Sequence, residues 1–331
     1  MLLGLSLAAL SFACLTQLQP DENFSNFAIT IFIACLGIAA FDTCADAWAI
    51  EVTQSDESAP IQSSMMAGRA AGLILLSWLF GQMADNFTFA PVFTTLAGLC
   101  AAAWLLVYFK VQEPNSPPTP ASLSDQFRPL TTYFTTDRFF FVAYAILYSI
   151  FSFGLDGLIT LHWTESLGLS GEGIGYYGSL RGVGAVLGAL SAGWWAWRWG
   201  RGRTARASLL ILGGAGLSLL VIESPSSAPY MGLVWGAAWS FQETCYVILA
   251  MLMADRRTPA TSFAMLMVFS NLGTSIGEAI ASQLAQTHGY PAIIAANAVS
   301  AWILSAFLPW ISRRPSLSES FSDQIAERKA S

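Results

Sequence analysis

Two acids stand one helical turn apart in the stretch FDTCADAWAIE, residues 41 to 51, where Asp42 and Asp46 interrupt an apolar run and Glu51 follows it. A separation of four residues is about 40° around a helix, so the two carboxylates share one face. Such a pair can bind a base, exchange a proton or touch a solute. A base is within reach, because Arg69 lies on the next apolar run. If the two runs are antiparallel helices, Arg69 stands ~9 to 12 Å from their shared end, against about 7 Å for Asp46 and 13 Å for Asp42 at ~1.5 Å per residue. Three readings follow. The residues form a structural Asp–Arg clamp, or one acid pairs with Arg69 while its neighbour, kept from ionising beside a like charge, takes up and releases a proton. In the third, Asp42 or Asp46 touches a solute directly.

Farther along, Glu243 falls about 13 residues, or ~20 Å, into an apolar run that starts near Tyr230, with no basic residue in sequence reach. A charge at the centre of a membrane helix costs about 2.5 to 3.5 kcal/mol, so a lone Glu there is read as a proton or solute site. Gln242 is its candidate hydrogen-bonding neighbour. Asn271, on the following run, either lines the same cavity or bonds helix to helix. Asp156, Arg181 and Glu278 fall toward the opposite ends of their runs and read as an outer gate or, preferably, as a packing network.

These groups are placed by a greasy chain. Of 331 residues, 54% are hydrophobic and 11% charged, well short of the roughly 25% charged in soluble domains. We count ten runs near the ~20 residues that cross a bilayer: about 1 to 18, 27 to 50, 62 to 83, 90 to 109, 139 to 161, 173 to 197, 207 to 222, 230 to 253, 260 to 285 and 291 to 311. Unpaired amides are costly in lipid, so these runs are expected to be helices, giving an all-α polytopic membrane protein. Every second loop is basic: Lys110, Arg128 and Arg138; then Arg198, Arg201, Arg203 and Arg206; then Arg256 and Arg257; then the tail with Arg313, Arg314, Arg328 and Lys329. The loops around 19 to 26, 84 to 89, 162 to 172, 223 to 229 and 286 to 290 have neither Lys nor Arg. The positive-inside rule puts the basic loops and the C-terminus in the cytoplasm of a plasma or bacterial inner membrane. The acidic loop at 51 to 61 breaks the pattern.

Other classes find little support. The five cysteines fall within predicted spans without paired spacing and read as small apolar residues. The N-terminus lacks the basic region of a signal peptide and reads as a retained span. His162 and His288 are isolated at predicted outer loops, and there is no HExxH or GxSxG, so neither a metal nor a cofactor nor enzymatic chemistry is expected. The Arg and Trp residues of 194 to 206 belong to a membrane edge with an aromatic belt, not to a nucleic-acid surface. Gly182, Gly184, Gly188 and Gly193, with GGAG at 213 to 216, read as small-residue packing surfaces.

A Pro- and Ser-rich stretch, EPNSPPTPASLSDQFRP at 113 to 129, separates four helices from six. The expected organisation is a four-helix bundle over 1 to 110, a cytoplasmic linker over 111 to 138, a six-helix bundle over 139 to 312 and a tail over 313 to 331. At a shift of about 200 residues FDTC lies over FQETC at 241 to 245, Gly72 meets Gly273, and Pro91 sits near Pro291. At that shift the helices at 139 and 173 have no counterpart, so the first half reads as lacking two helices.

GWWAWRWGRGR at 193 to 203 resembles the cytoplasmic signature of the major facilitator superfamily, with Gly193, Arg198, Gly200 and Arg201 matching and Trp197 in place of its Asp. The chain is similar to that superfamily over nearly its whole length, as helices three to twelve. DTCADAWAIEVTQSDESAP more weakly resembles the muropeptide-permease and acetyl-coenzyme-A-transporter branch, without its Glu-Arg-Gly. The resemblance implies two parallel halves that rock about a midplane site. It implies a secondary transporter of a small organic solute, with the bilayer, the solute and protons as partners. The alternative is a transport-incompetent relative acting as a membrane scaffold or sensor, since the first helix of each half normally lines the cavity in that superfamily.

Overall fold

The structure is a computed structural model that describes residues 1–52, 58–86, 89–111, 136–253 and 259–312. Within these ranges the side chains of 46, 47, 49–52, 58–67, 84–86, 136–138, 252, 259–262 and 309–312 fall outside the description. Residues 112 to 135 of the expected linker, the loop at Arg256 and Arg257, and the tail beyond 312 therefore lie outside the described residues.

Ten α-helices follow one another among the described residues: α1 Leu2–Leu15, α2 Phe24–Val52, α3 Ser58–Asn86, α4 Phe89–Lys110, α5 Thr136–Leu167, α6 Gly171–Trp199, α7 Arg201–Ser218, α8 Met231–Met253, α9 Pro259–His288 and α10 Tyr290–Ser312. Short 3-10 turns at Leu219–Val221 and Ala228–Tyr230 join α7 to α8. Among the described residues, six helices are both long and apolar enough to cross a bilayer by themselves. α1 has only 14 residues. Gln242 and Glu243 lower the hydropathy of α8.

Two expected loops are largely helix. α5 continues to Leu167 and α9 to His288, so His162 and His288 stand on helices. The polar residues 162 to 167 stay helical because their side chains find local partners: Ser166 Oγ bonds His162 Nδ1 at 2.9 Å, and Tyr290 Oη donates to Glu165 at 2.8 Å. Tight connections use glycine where the backbone needs a positive φ, with +86° at Gly200 between α6 and α7 and +81° at Gly289 between α9 and α10.

The chain divides into two compact units, Met1–Thr119 and Pro120–Ser331. In the first, α1 packs on α2 and α4, and α3 packs on α4. Gly4 and Gly37 face each other so closely that a Cβ on either would lie 2.6 or 2.7 Å from the other's carbonyl oxygen. In the second, α7 packs on α8 and α10, and α9 packs on α10, the same scheme in helices about 200 residues later. α5 and α6 add further pairings, α5 with α10, α6 with α7 and, most extensively, α5 with α9 and α6 with α8.

The last two pairings are glycine-mediated. Cβ atoms on Gly184 and Gly188 would strike the carbonyls of Leu233 and Ala237, while Gly232 and Gly236 sit on the carbonyls of Tyr177 and Arg181. Gly273 and Gly277 of α9 close on Ile146 and Ile150 of α5 in the same way. Small residues let backbones approach where the hydrophobic effect gives no drive for association. In the first unit Gly72 of α3, the counterpart of Gly273, has nothing within 4 Å of its Cβ position, and neither has Gly68 one turn before it. The glycine readings hold at Gly184, Gly188, Gly213 and Gly216 and fail at Gly193 and Gly214, whose Cβ positions are open.

Candidate functional site

α5, α8 and α9 bring a polar chain into the second unit. Tyr148 Oη donates to Glu243 Oε2 at 2.9 Å and lies 2.7 Å from Ser270 Oγ, which in turn is 2.8 Å from Ser149 Oγ. If Tyr148 gives its proton to Glu243, Ser270 must donate to Tyr148 and Ser149 to Ser270, so the bonds run in one direction toward the carboxylate. Tyr148, Ser149 and Ser270 are buried and Glu243 is partly buried. Among the described residues no basic group forms an ion pair with Glu243. Its neighbour Gln242 is fully buried, accepts from Ser208 Oγ and reaches the Tyr144 hydroxyl at 3.4 Å. Tyr144, Tyr148 and Tyr246 pack as an aromatic wall, with the last two rings 4.5 Å apart. Asn271 is exposed on α9. The structure leaves it outside this network, because the helix turns Ser270, not Asn271, toward Tyr148.

A second polar group joins α5, α6 and α8. Arg181 Nη2 lies 2.8 Å from Asp156 Oδ2, and Trp235 Nε1 donates to Asp156 Oδ1 at 2.7 Å. The Arg181 guanidinium sits 4.7 Å over the Trp239 ring, a cation–π contact. Their side chains are largely buried, at 16% and 21% exposure for Arg181 and Asp156. Glu278 is exposed near Gly157. Arg181 is therefore held by one acid, not set between two. Arg181 Nε, Trp239 Nε1 and the hydroxyls of Tyr177 and Ser152 are buried without a hydrogen-bond partner among the described residues.

In the first unit the depth argument brings the right residues together: Arg69 Nη2 donates to Asp42 Oδ1 at 2.9 Å. Both side chains are about half exposed, at 49% and 57%. The Asp46 side chain lies outside the described residues. Of the motif residues, Gly193 and Arg198 lie in the last turns of α6, Gly200 makes the turn with its φ of +86°, and Arg201 opens α7. Tyr148, Ser149, Ser270, Trp235 and Trp239 escaped sequence reasoning. Their partners are 79 to 122 residues away in three of the recorded bonds, and uncharged side chains on apolar helices carry no local signal.

A helical chain with an internal four-helix repeat and partly buried carboxylates in its longer unit invites comparison with membrane carriers. The sequence profile described as Major Facilitator Superfamily matches residues 1–277 and again 146–330. The chain belongs to that superfamily. It is accordingly a multi-pass membrane protein. The fold is similar to that of the nucleoside transporter NupG, at a TM-score of 0.72 and 12% identity over 94% of this chain and 82% of that one. A bacterial homologue of the human lysosomal transporter Spinster aligns at a TM-score of 0.65 and 14% identity, covering 96% and 83% of the two chains. The E. coli fucose:proton symporter FucP aligns at 0.60 and 14%, covering 94% and 83%. At these identities the likeness is one of fold. No curated protein matches the chain in sequence.

Proposed function

We propose that this superfamily member is a secondary transporter that moves a small organic solute by alternating access, with Glu243 as its proton or solute site. The observation that carries the reading is a carboxylate partway along α8 that takes a hydrogen bond from Tyr148 and has no basic counter-ion among the described residues. An ion pair would hold such a group in one charge state. Hydrogen bonds from hydroxyls serve the ionised form and, with the tyrosine rotated, the protonated form as well. Coupling requires that protonation differ between the two facing states, and a solute must favour one protonation state for the gradient to do work.

The solute class is drawn from the same residues. The tyrosine and serine hydroxyls about Glu243 and the Gln242 amide suit a neutral, hydroxyl-rich molecule. Structural neighbours are named for fucose, D-xylose and nucleosides, which share that chemistry. Asp42, Asp46 and Arg69 form a secondary proton path or a helix clamp on this reading, and the Asp156–Arg181 pair is a packing network. The basic loops and the C-terminus face the cytoplasm.

A proteoliposome assay with radiolabelled fucose, xylose and uridine, run with and without a pH gradient, tests this function. Uptake above empty liposomes that Glu243→Gln abolishes or uncouples from pH is the expected result. The scaffold or sensor reading is favoured by one observation, the open Cβ position of Gly72 where its counterpart Gly273 in α9 is closed on α5. Absence of uptake for every solute, in protein that folds, supports it.

A further inference from the structure

A groove of about 490 Å³ runs along the outside of the second unit, lined by Ser191 and Trp195 of α6, Ile211 and Gly214 of α7, and Val234 and Phe241 of α8. It is apolar, and it takes no part in the polar networks described above. Its depth follows from the helices. Trp195 is five residues from the turn at Gly200, about 7 Å, and Ser218, also on the lining, is eighteen residues away, about 27 Å. The groove is thus about 20 Å long, a little more than one leaflet of a ~30 Å hydrocarbon core.

Its mouth is strongly basic. Ser191, Trp195 and Arg198 stand at i, i+4 and i+7, one stripe of α6. On α7, Arg203 and Gly214 are eleven residues apart, within about 20° of three full turns, so Arg203 continues the groove stripe as well. Arg206 is turned about 80° from Gly214 and about 60° from Arg203, and serves as an internal comparison. Arg198, Arg203 and Arg206 are exposed, and among the described residues none of them forms an ion pair. No Asp or Glu occurs between Glu172 and Glu223, because Trp197 occupies the place where the resembled motif has its acid. Trp194, Trp197 and Trp199 are exposed beside these arginines, as residues at the water–lipid boundary are.

An apolar slot of leaflet depth, closed at the boundary by unpaired guanidinium groups, matches one molecule in charge and in polarity. We propose that this groove binds an anionic phospholipid, its phosphate on Arg198 and Arg203 and an acyl chain against Trp195, Gly214 and Phe241. Guanidinium forks suit phosphate oxygens, and each basic residue at an anionic surface contributes about fivefold in binding. The lipid would bridge α6, α7 and α8, the last of which carries Gln242 and Glu243.

Native mass spectrometry tests the proposal, using the full chain released from vesicles of equal phosphatidylglycerol and phosphatidylcholine. Retention of phosphatidylglycerol over phosphatidylcholine is expected. Arg198→Gln with Arg203→Gln should lower that preference at least tenfold, while Arg206→Gln leaves it within twofold. Gly214→Leu should reduce retention of both lipids, since nothing lies within 4 Å of its Cβ position and the new side chain fills the groove without disturbing a helix contact. Unfolding temperatures confirm that each variant is folded. Equal retention of the two lipids by the unaltered chain overturns the proposal, as does an Arg206→Gln loss equal to that of the double variant, or unchanged retention in Gly214→Leu.

Discussion

Replacing Arg181 by Met removes a charge from a nearly enclosed pair. Asp156 keeps the indole hydrogen bond from Trp235 at 2.7 Å but loses the guanidinium at 2.8 Å, and Trp239 loses the cation over its ring at 4.7 Å. Breaking a fully buried pair costs 3 to 5 kcal/mol and an exposed one about 0 to 1, so side chains at 16% and 21% exposure place this loss at about 2 to 3 kcal/mol. The cation–π contact adds about 0.5 to 1 kcal/mol. Asp156→Asn leaves an acceptor for Trp235 but strands Arg181, for about 2 kcal/mol. The double variant strands neither charge, so it should cost about 2 kcal/mol less than the sum of the single changes. Unfolding titrations in mixed micelles, followed by tryptophan fluorescence, measure all four proteins. Additivity within about 0.5 kcal/mol would refute the pairing as a stability element.

Other consequences are equally specific. Gly236→Ala places a methyl on the Arg181 carbonyl and should destabilise the α6–α8 contact by about 1 to 3 kcal/mol, whereas Gly193→Ala, with open space at its Cβ, should be neutral or slightly stabilising in the same titration. Tyr148→Phe removes the donor to Glu243 and the link to Ser270, for about 1.5 to 3 kcal/mol, and it should alter the pH profile of uptake, a readout that loss of packing alone would leave unshifted. Arg69→Gln, from a half-exposed pair, should change stability by less than about 1 kcal/mol, so a large loss of uptake in that variant would mark the Asp42 pair as functional, not as a clamp.

How far the sequence carried depends on range. The helices were legible because apolar runs of bilayer length have one backbone solution in lipid, and α3, α4, α9 and α10 begin and end near the expected positions. The missed ends, at 162 to 167 and 286 to 288, are polar turns that look like loop until Glu165 is seen bonded to Tyr290. The Asp42–Arg69 contact was legible because depth along two consecutive antiparallel helices can be counted. Glu243 was legible as an anomaly, but its partners were not. Tyr148 and Ser270 reach it only because Gly273 and Gly277 let α9 close on α5, a contact between helices far apart in sequence. The same limit applies to Asn271 and Glu278, both exposed on α9, since depth counted along a helix does not fix rotation.

The central claim is that the Glu243 carboxylate couples solute movement to protons. Proteoliposomes carrying a pH-sensitive dye inside report it most directly, as alkalinisation or acidification of the lumen when solute is added to the unaltered chain and to Glu243→Gln. The account predicts solute-dependent proton flux in the former and its loss in the latter, with the variant still folded and still binding solute. Equal flux in both would contradict it.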